Sequence, residues 1–108
     1  MNHTQSNSTQ SNSKQSLLEV LREARALLAR PDNDFACSTW DSAAGALSEL
    51  DGFISHIEAG STFDGSSLSA LFAPTADIQE VSVSSGWGDE FCRVAGRFDS
   101  AFAKYKST

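Results

Sequence analysis

The chain reads GWGDEFCRVAGRFDSAFAKYKS over residues 86–107, and its large apolar residues recur every three or four positions. This spacing is typical of an α-helix with one apolar face. Five of the six residues on that face are aromatic, and aromatic side chains dominate the burial of apolar surface in cores. The six residues are Trp87, Phe91, Val94, Phe98, Phe102 and Tyr105. We therefore predict a C-terminal helix that begins near Gly86 and packs on a hydrophobic core.

Two earlier segments have the same spacing. The first is predicted to begin near Ser16, since Ser16 and Glu19 match the capping-box pattern, and to end before Pro31. The second is predicted to begin at residues 38–39 and to end at Gly60, a residue that suits a left-handed C-cap. Their apolar stripes are Leu17, Val20, Leu21, Ala24, Leu27 and Leu28, and then Trp40, Ala43, Ala44, Leu47, Leu50, Ile54 and Ile57.

The remaining segments are shorter or polar. Residues 67–73 are predicted to form a short helix that ends at Pro74, and residues 75–85 to be helical or irregular. Residues 1–13 are mostly Asn, Ser, Gln and Thr, so we expect a disordered tail. The predicted fold is all-α: a single domain over residues 14–108, with three main amphipathic helices and one or two short ones in a small bundle.

Composition limits the class of protein. The 108 residues contain no apolar run long enough for a signal peptide or a membrane span, so we expect a cytoplasmic protein. Two cysteines, Cys37 and Cys92, suggest neither a disulfide framework nor a metal site. They are most simply reduced thiols, although the sequence leaves a pairing between them open.

Charge is segregated along the chain. The net charge is −6, which disfavours direct binding to nucleic acids or anionic membranes. No Lys or Arg occurs between Arg30 and Arg93, and that interval holds 11 acids. All eight basic residues lie outside it, where Glu19, Glu23 and Asp99 reduce the net charge to +5. Either the terminal helices neutralise the middle ones, or the middle carries an acidic docking face.

Residues Gly88-Asp89-Glu90-Phe91 match the last four positions of the Gly-Gly-Asp-Glu-Phe signature of diguanylate cyclases. That family needs a bare backbone at the first glycine, where this chain has Trp87. Its motif also lies on a hairpin between strands, and no strand pattern flanks the motif here. We therefore interpret the match as false.

A second resemblance covers residues 71–99. Leu-Phe-Ala-Pro-Thr at 71–75, Gln79-Glu80, Gly-Trp-Gly-Asp-Glu-Phe at 86–91 and Phe98-Asp99 are similar to a run found in a group of small bacterial proteins with no assigned activity. The resemblance implies a bacterial source and a stand-alone domain. It implies no activity.

Candidate reactive groups are few. His56 falls opposite the apolar stripe of the second helix, so it is predicted to face solvent, and no other residue has ligand spacing with it. Cys92 lies near a helix start, where the dipole can lower a thiol pKa, but Asp89 and Glu90 oppose that effect. A half-buried structural cysteine is the favoured interpretation. The glycines that flank Trp87 could offer N–H groups to an anion, yet we favour a core tryptophan with Ser85 as the helix cap.

Charged residues supply the remaining candidates. Arg93, Arg97 and Lys104 fall on one line of the last helix and are predicted to pair with the acidic second helix. Asp51 and Glu58 lie at the border of the apolar stripe of that helix, so they are the acids expected to be partly buried.

Three functions are compatible with these patterns. The first is a small accessory or regulatory protein that binds another protein. The second is an acidic, immunity-type inhibitor that masks a basic nucleic-acid-binding surface. The third is a small-molecule or enzymatic site formed by Trp87, Asp89, Glu90 and Cys92. No cofactor or metal is predicted, and the oligomeric state stays open. The predicted partner-binding residues are Asp41, Glu49, Asp51, Glu58, Trp87, Asp89 and Glu90.

Overall fold

The computed structural model describes the backbone of residues 3–107 and the side chains of residues 12–107. Its five helices confirm the predicted all-α class, and the described residues contain no β-strand. The helices are α1 (His3–Leu28), α2 (Ala43–Ala59), α3 (Gly65–Leu71), α4 (Asp77–Ser85) and α5 (Gly88–Ser107). No helix of the described part of the chain is both long and apolar enough to cross a bilayer.

Helix α1 lies between α2 and α5 and packs against both. Glu23 accepts a charged hydrogen bond from Arg97 at 2.7 Å, and Arg30 donates one to Glu90 at 2.9 Å. Arg30 follows Glu23 by seven residues, just beyond the end of α1, whereas Glu90 precedes Arg97 by seven residues on α5, so these helices run antiparallel.

The same argument places α2. Arg22 pairs with Glu58, and Arg25 pairs with Asp51 through two hydrogen bonds of 2.6 and 3.0 Å. A later residue of α1 therefore meets an earlier residue of α2, so α2 is antiparallel to α1. The three main helices form the predicted bundle, and α4 packs on α5.

Every helix contributes to one core. Leu21, Leu50, Leu68, Ile78 and Phe98 come from the five helices in turn, and each is at most 1% exposed. The Phe98 ring lies in the middle of α5 and stacks on Phe72, with ring centroids 4.1 Å apart. All six predicted stripe residues of α5 are buried or half-buried, as expected.

Two helix boundaries differ from the prediction. Helix α1 extends before Ser16, so the predicted capping box of Ser16 and Glu19 does not start it. Helix α2 begins at Ala43 rather than at residues 38–39, and Ala44 is exposed. The side chains of residues 1–11 lie outside the described residues, so the predicted disorder of the tail 1–13 stays a prediction. Ser13 is buried.

Helices α3 and α4 are short, and α4 covers most of residues 75–85, whose structure the sequence left open. Asp64 caps α3 by accepting hydrogen bonds from Ser66 N–H at 3.0 Å and Ser67 Oγ at 2.7 Å, and the Ser67 bond contributes most to lowering the pKa of its carboxyl. Residues 77–85 are helical, with Ile78, Val81 and Ser82 buried. Helix α4 ends at Gly86, whose φ of 88° is the left-handed C-cap that glycine favours.

Candidate functional site

Trp87 is a core residue that joins α5 to the loop after α1. Its side chain is 2% exposed, and its Nε1–H donates to Asn33 Oδ1 at 2.8 Å. Asn33 Nδ2 donates in turn to the carbonyl of Leu27 at 2.8 Å, which satisfies one of the last acceptors of α1. The backbone N–H of Trp87 bonds to the carbonyl of Ser82. Trp87 is therefore not available to a ligand, in agreement with the favoured core interpretation.

The loop between α1 and α2, residues 29–42, lies along α4. The backbone N–H of Asp34 donates to Ser85 Oγ at 2.9 Å, so Ser85 does not cap α5 as predicted. At the other end of α4, Asp77 accepts from the backbone N–H of Thr39 at 3.0 Å and from its hydroxyl at 2.5 Å. These bonds hold residues 38–42 in the loop, which explains why α2 begins later than predicted.

This arrangement gathers acids that are far apart in sequence. We define the acidic face as Asp32, Asp34 and Asp41 of this loop together with Asp77 and Glu80 of α4, the helix along which the loop lies. Asp34 and Asp41 line one cavity of about 580 Å³, whose walls include Phe35 and Trp40. Among residues 12–107, none of the five acids forms an ion pair. The face therefore concentrates negative charge that the molecule itself does not neutralise.

Arg30, a cation that lines this cavity, already has an acidic partner. Arg30 lines the cavity, but its guanidinium donates to Glu90 at 2.9 Å. Thr39 satisfies the two carboxylate oxygens of Asp77, and Asp34 Oδ1 accepts from the backbone N–H of Ala36 at 2.9 Å. Such neutral donors orient these carboxylates without removing their charge.

The acids predicted on α2 are used within the molecule. Glu49 accepts from Trp40 Nε1–H at 3.0 Å. The bidentate bond from Arg25, chiefly its hydrogen bond and then its charge, lowers the pKa of the Asp51 carboxyl. Glu58 pairs with Arg22 and is exposed, so its predicted partial burial is wrong, whereas Asp51 is half-buried as expected. Pairing with arginine therefore accounts for Asp51 and Glu58, as one of the two interpretations of the charge pattern held, whereas Glu49 has only a neutral indole donor.

The groups proposed for an enzymatic site do not converge. Asp89 and Glu90 line a cavity of about 550 Å³ beside Trp87, and Cys92 does not line it. Cys92 instead borders a groove between α1 and α5. It is exposed, so its predicted half-burial is wrong, because it follows Phe91 by one position and thus points away from the core stripe.

The remaining reactive groups are isolated. Cys37 and Cys92 are both exposed free thiols, so they do not pair with each other. His56 is exposed as predicted, and its Nδ1 lies 2.9 Å from Ser61 Oγ. No group of three His, Cys, Asp or Glu residues in the described part of the chain could hold a metal ion.

The cationic line of α5 faces α1 rather than α2. Arg97 pairs with Glu23 of α1, so the predicted pairing of this line with the second helix is wrong. The reason is topological, because α5 packs beside α1. Arg93 and Lys104 form no ion pair with any described residue, and both line the groove, which measures about 570 Å³.

An aromatic cluster links α2 to the last turns of α5 through Phe63 of the loop after α2, and the sequence patterns did not predict it. Phe63 contacts Phe53, Phe102 and Tyr105, with ring centroids 6.0, 6.4 and 6.4 Å apart. Phe53, Phe63 and Tyr105 are half-buried. The spacing of Phe53 from Leu50 and Ile57 could have placed it at the border of the α2 stripe, but Phe63 lies in a loop without periodicity.

Comparison with models of protein families, with curated proteins and with solved structures found no match. The function is therefore inferred from the surfaces themselves.

Proposed function

We propose that this is a small accessory or regulatory protein that acts by binding another protein, with the acidic face as its docking surface. The observation that carries the proposal is the uneven neutralisation of charge. Asp51 and Glu58 on α2 have arginine partners, whereas the five acids of the acidic face have none within residues 12–107. A partner with a basic surface would supply the missing cations.

Physical chemistry favours a binding role for such a face. Neighbouring charges of one sign repel one another and reduce the stability of the folded state. The same charges accelerate the encounter with a basic partner, and this acceleration falls as salt is added. The aromatic walls of the adjoining cavity, Phe35 and Trp40, add the residue types that are enriched at protein interfaces.

The two cysteines suggest the compartment in which the protein would act. Two exposed free thiols, Cys37 and Cys92, fit a reducing compartment such as the cytoplasm. A bacterial cytoplasm would offer many basic proteins as partners.

The proposal is tested by charge reversal with a matched control. Asp32→Lys with Asp41→Lys changes two acids of the face that make no hydrogen bond or ion pair with a described residue. Asp89→Lys with Asp99→Lys changes two exposed acids elsewhere by the same amount. The tagged protein is used to capture partners from a bacterial lysate at low salt, and bound proteins are identified by mass spectrometry. We expect a basic partner that moderate salt releases and that only the first variant loses. A partner retained equally by both variants would contradict the proposal.

The inhibitor hypothesis is a narrower form of the same function, in which the basic surface of the partner binds nucleic acid. The acidic face supports it, because carboxylates and phosphates compete for the same cations. Adding an excess of duplex DNA or of RNA to the captured complex separates the two forms. Displacement of the protein favours an inhibitor, and a complex that resists nucleic acid favours an accessory protein.

A further inference from the structure

The groove between α1 and α5 is a second surface, and it shares no residue with the acidic face. Val20 of α1 and Ala101 of α5 form its buried floor, and Gly96 and Ser100 lie at its exposed border. A Cβ atom on Gly96 would have no neighbour within 4 Å, so the space above this residue is open. A partner backbone can therefore approach α5 closely at this point.

Three cations and one acid, Glu19, line this groove, so positive charge prevails there. Arg93, Arg97 and Lys104 follow one side of α5 over about 16 Å, the rise of eleven helical residues. Glu23 neutralises Arg97, but Arg93 and Lys104 form no ion pair with any described residue. Two free cations beside an apolar floor are unexpected in a chain with a net charge of −6. The surface is therefore complementary to a ligand that combines carboxylates with an apolar face.

We propose that this groove binds an acidic amphipathic helix of a partner protein. Two packed helices leave a groove that accepts the side-chain ridge of a third helix. The line from Arg93 to Lys104 equals about three helical turns, so one turn of the bound helix would meet each cation. Its apolar residues would contact Val20 and Ala101, as in other grooves that bind helices.

A second copy of this chain fits the groove less well. A twofold interface brings the same patch of both copies together, so Arg93 and Lys104 would lie beside their own counterparts. Like charges in contact cost free energy. A twofold contact therefore supplies no complementary charge, and we assign the groove to a different, acidic chain.

Two native thiols allow a direct test. Cys92 borders the groove, whereas Cys37 lies in the loop of residues 29–42 and serves as an internal control. The probe is a helical peptide with Leu at positions that share one face and Glu elsewhere. A matched peptide has Lys in place of every Glu. Alkylation of each thiol by iodoacetamide, an uncharged reagent, is followed by mass spectrometry in the intact protein.

We expect the acidic peptide to slow the alkylation of Cys92 about tenfold at saturation, a loss of accessibility that corresponds to about 1.4 kcal/mol. The acidic peptide should leave the alkylation of Cys37 unchanged, and the basic peptide should not protect Cys92. Equal protection by the two peptides, equal protection of both thiols, or no protection of Cys92 would each overturn the proposal.

Variants locate the binding surface. Arg93→Glu with Lys104→Glu should weaken the acidic peptide about tenfold, because two exposed charge pairs are reversed. Lys14→Glu with Lys106→Glu makes the same charge change outside the groove and should have little effect. Gly96→Leu fills the open space and should abolish binding, whereas Gly52→Leu adds the same side chain to an open site on α2 and should not. Equal effects of either matched pair would overturn the assignment to the groove. Self-association of the free protein would also overturn it, if sedimentation equilibrium showed that Gly96→Leu prevents the association and the other variants do not.

Discussion

The hydrogen bond between Trp87 and Asn33 gives a quantitative test of whether Trp87 belongs to the core. Trp87→Phe keeps most of the apolar contacts but removes the donor of the 2.8 Å bond to Asn33. We expect about 1 kcal/mol from the lost bond and about 1 kcal/mol from poorer packing of a residue that is 2% exposed. The free energy of unfolding should fall by about 2 kcal/mol, and the melting temperature by about 10 °C.

A double-mutant cycle isolates the bond itself. Asn33→Ala removes the same bond and also the bond from Asn33 to the Leu27 carbonyl. The loss of this second bond occurs with either Trp87 or Phe at position 87, so it cancels from the coupling energy. The double variant should therefore be more stable than the sum of the single effects predicts, by about 1 kcal/mol. Urea unfolding followed by far-ultraviolet circular dichroism is the assay, because a tryptophan signal would change with the substitution.

Trp40→Phe is the matched control. Trp40 is 8% exposed, and its indole donates to the exposed carboxylate of Glu49, which water can solvate when the bond is lost. Trp40→Phe should therefore lower the free energy of unfolding by about 1 kcal/mol less than Trp87→Phe does. If the Trp87 and Asn33 effects add within about 0.3 kcal/mol, or if Trp87→Phe is the milder of the two substitutions, the reasoning is refuted.

Three further predictions concern backbone and charge. Gly96→Ala should raise the free energy of unfolding by about 0.5–1 kcal/mol, because alanine suits a helix better than glycine. Gly86→Ala should lower it by about 1 kcal/mol, because Gly86 has a φ of 88°. Changes of the same sign in thermal unfolding would contradict this prediction. Thr75 has a φ of 64°, so Thr75→Asn should stabilise the fold by about 0.5–1 kcal/mol in urea unfolding, and no gain would show that other contacts compensate for the strain. The hydrogen bond from Arg25 lowers the folded-state pKa of Asp51, so its carboxylate stabilises the fold above the ordinary value of 3.8 and loses this effect as the pH falls through the lowered pKa. Asp51→Asn should therefore flatten the loss of stability below about pH 4, and unchanged acid profiles in urea titrations would disprove the link.

The periodic parts of the fold were predictable from sequence. The α5 stripe was predicted correctly because large aromatic residues at helical spacing have only one way to share a face. Residues 75–85 were left open because Val81 and Val83 alternate with serines, as in a strand. In the structure Val81 is buried and Val83 is 66% exposed, so the alternation has no structural meaning.

The candidate site was less predictable, since it depends on which elements become neighbours. Charge counts suggested that the terminal helices neutralise the middle of the chain. They did not indicate that Arg25 pairs with Asp51, or that Arg97 pairs with Glu23. The acids of the loop and of α4 belong to one face because Thr39 bonds to Asp77, 38 residues away, and Asp34 to Ser85, 51 residues away. No local pattern encodes such a contact.

The central position of α1 has a consequence for biosynthesis. A ribosome completes α1 before the other described helices, and α5, which covers one side of α1, follows all of them. Leu17, Leu21 and Leu28 therefore lack part of their native surroundings until α5 has been made. The nascent chain offers this aliphatic surface to chaperones and to other growing chains in the meantime. A message cut short before the codons of α5 would yield a polypeptide that aggregates or is degraded rather than one that folds.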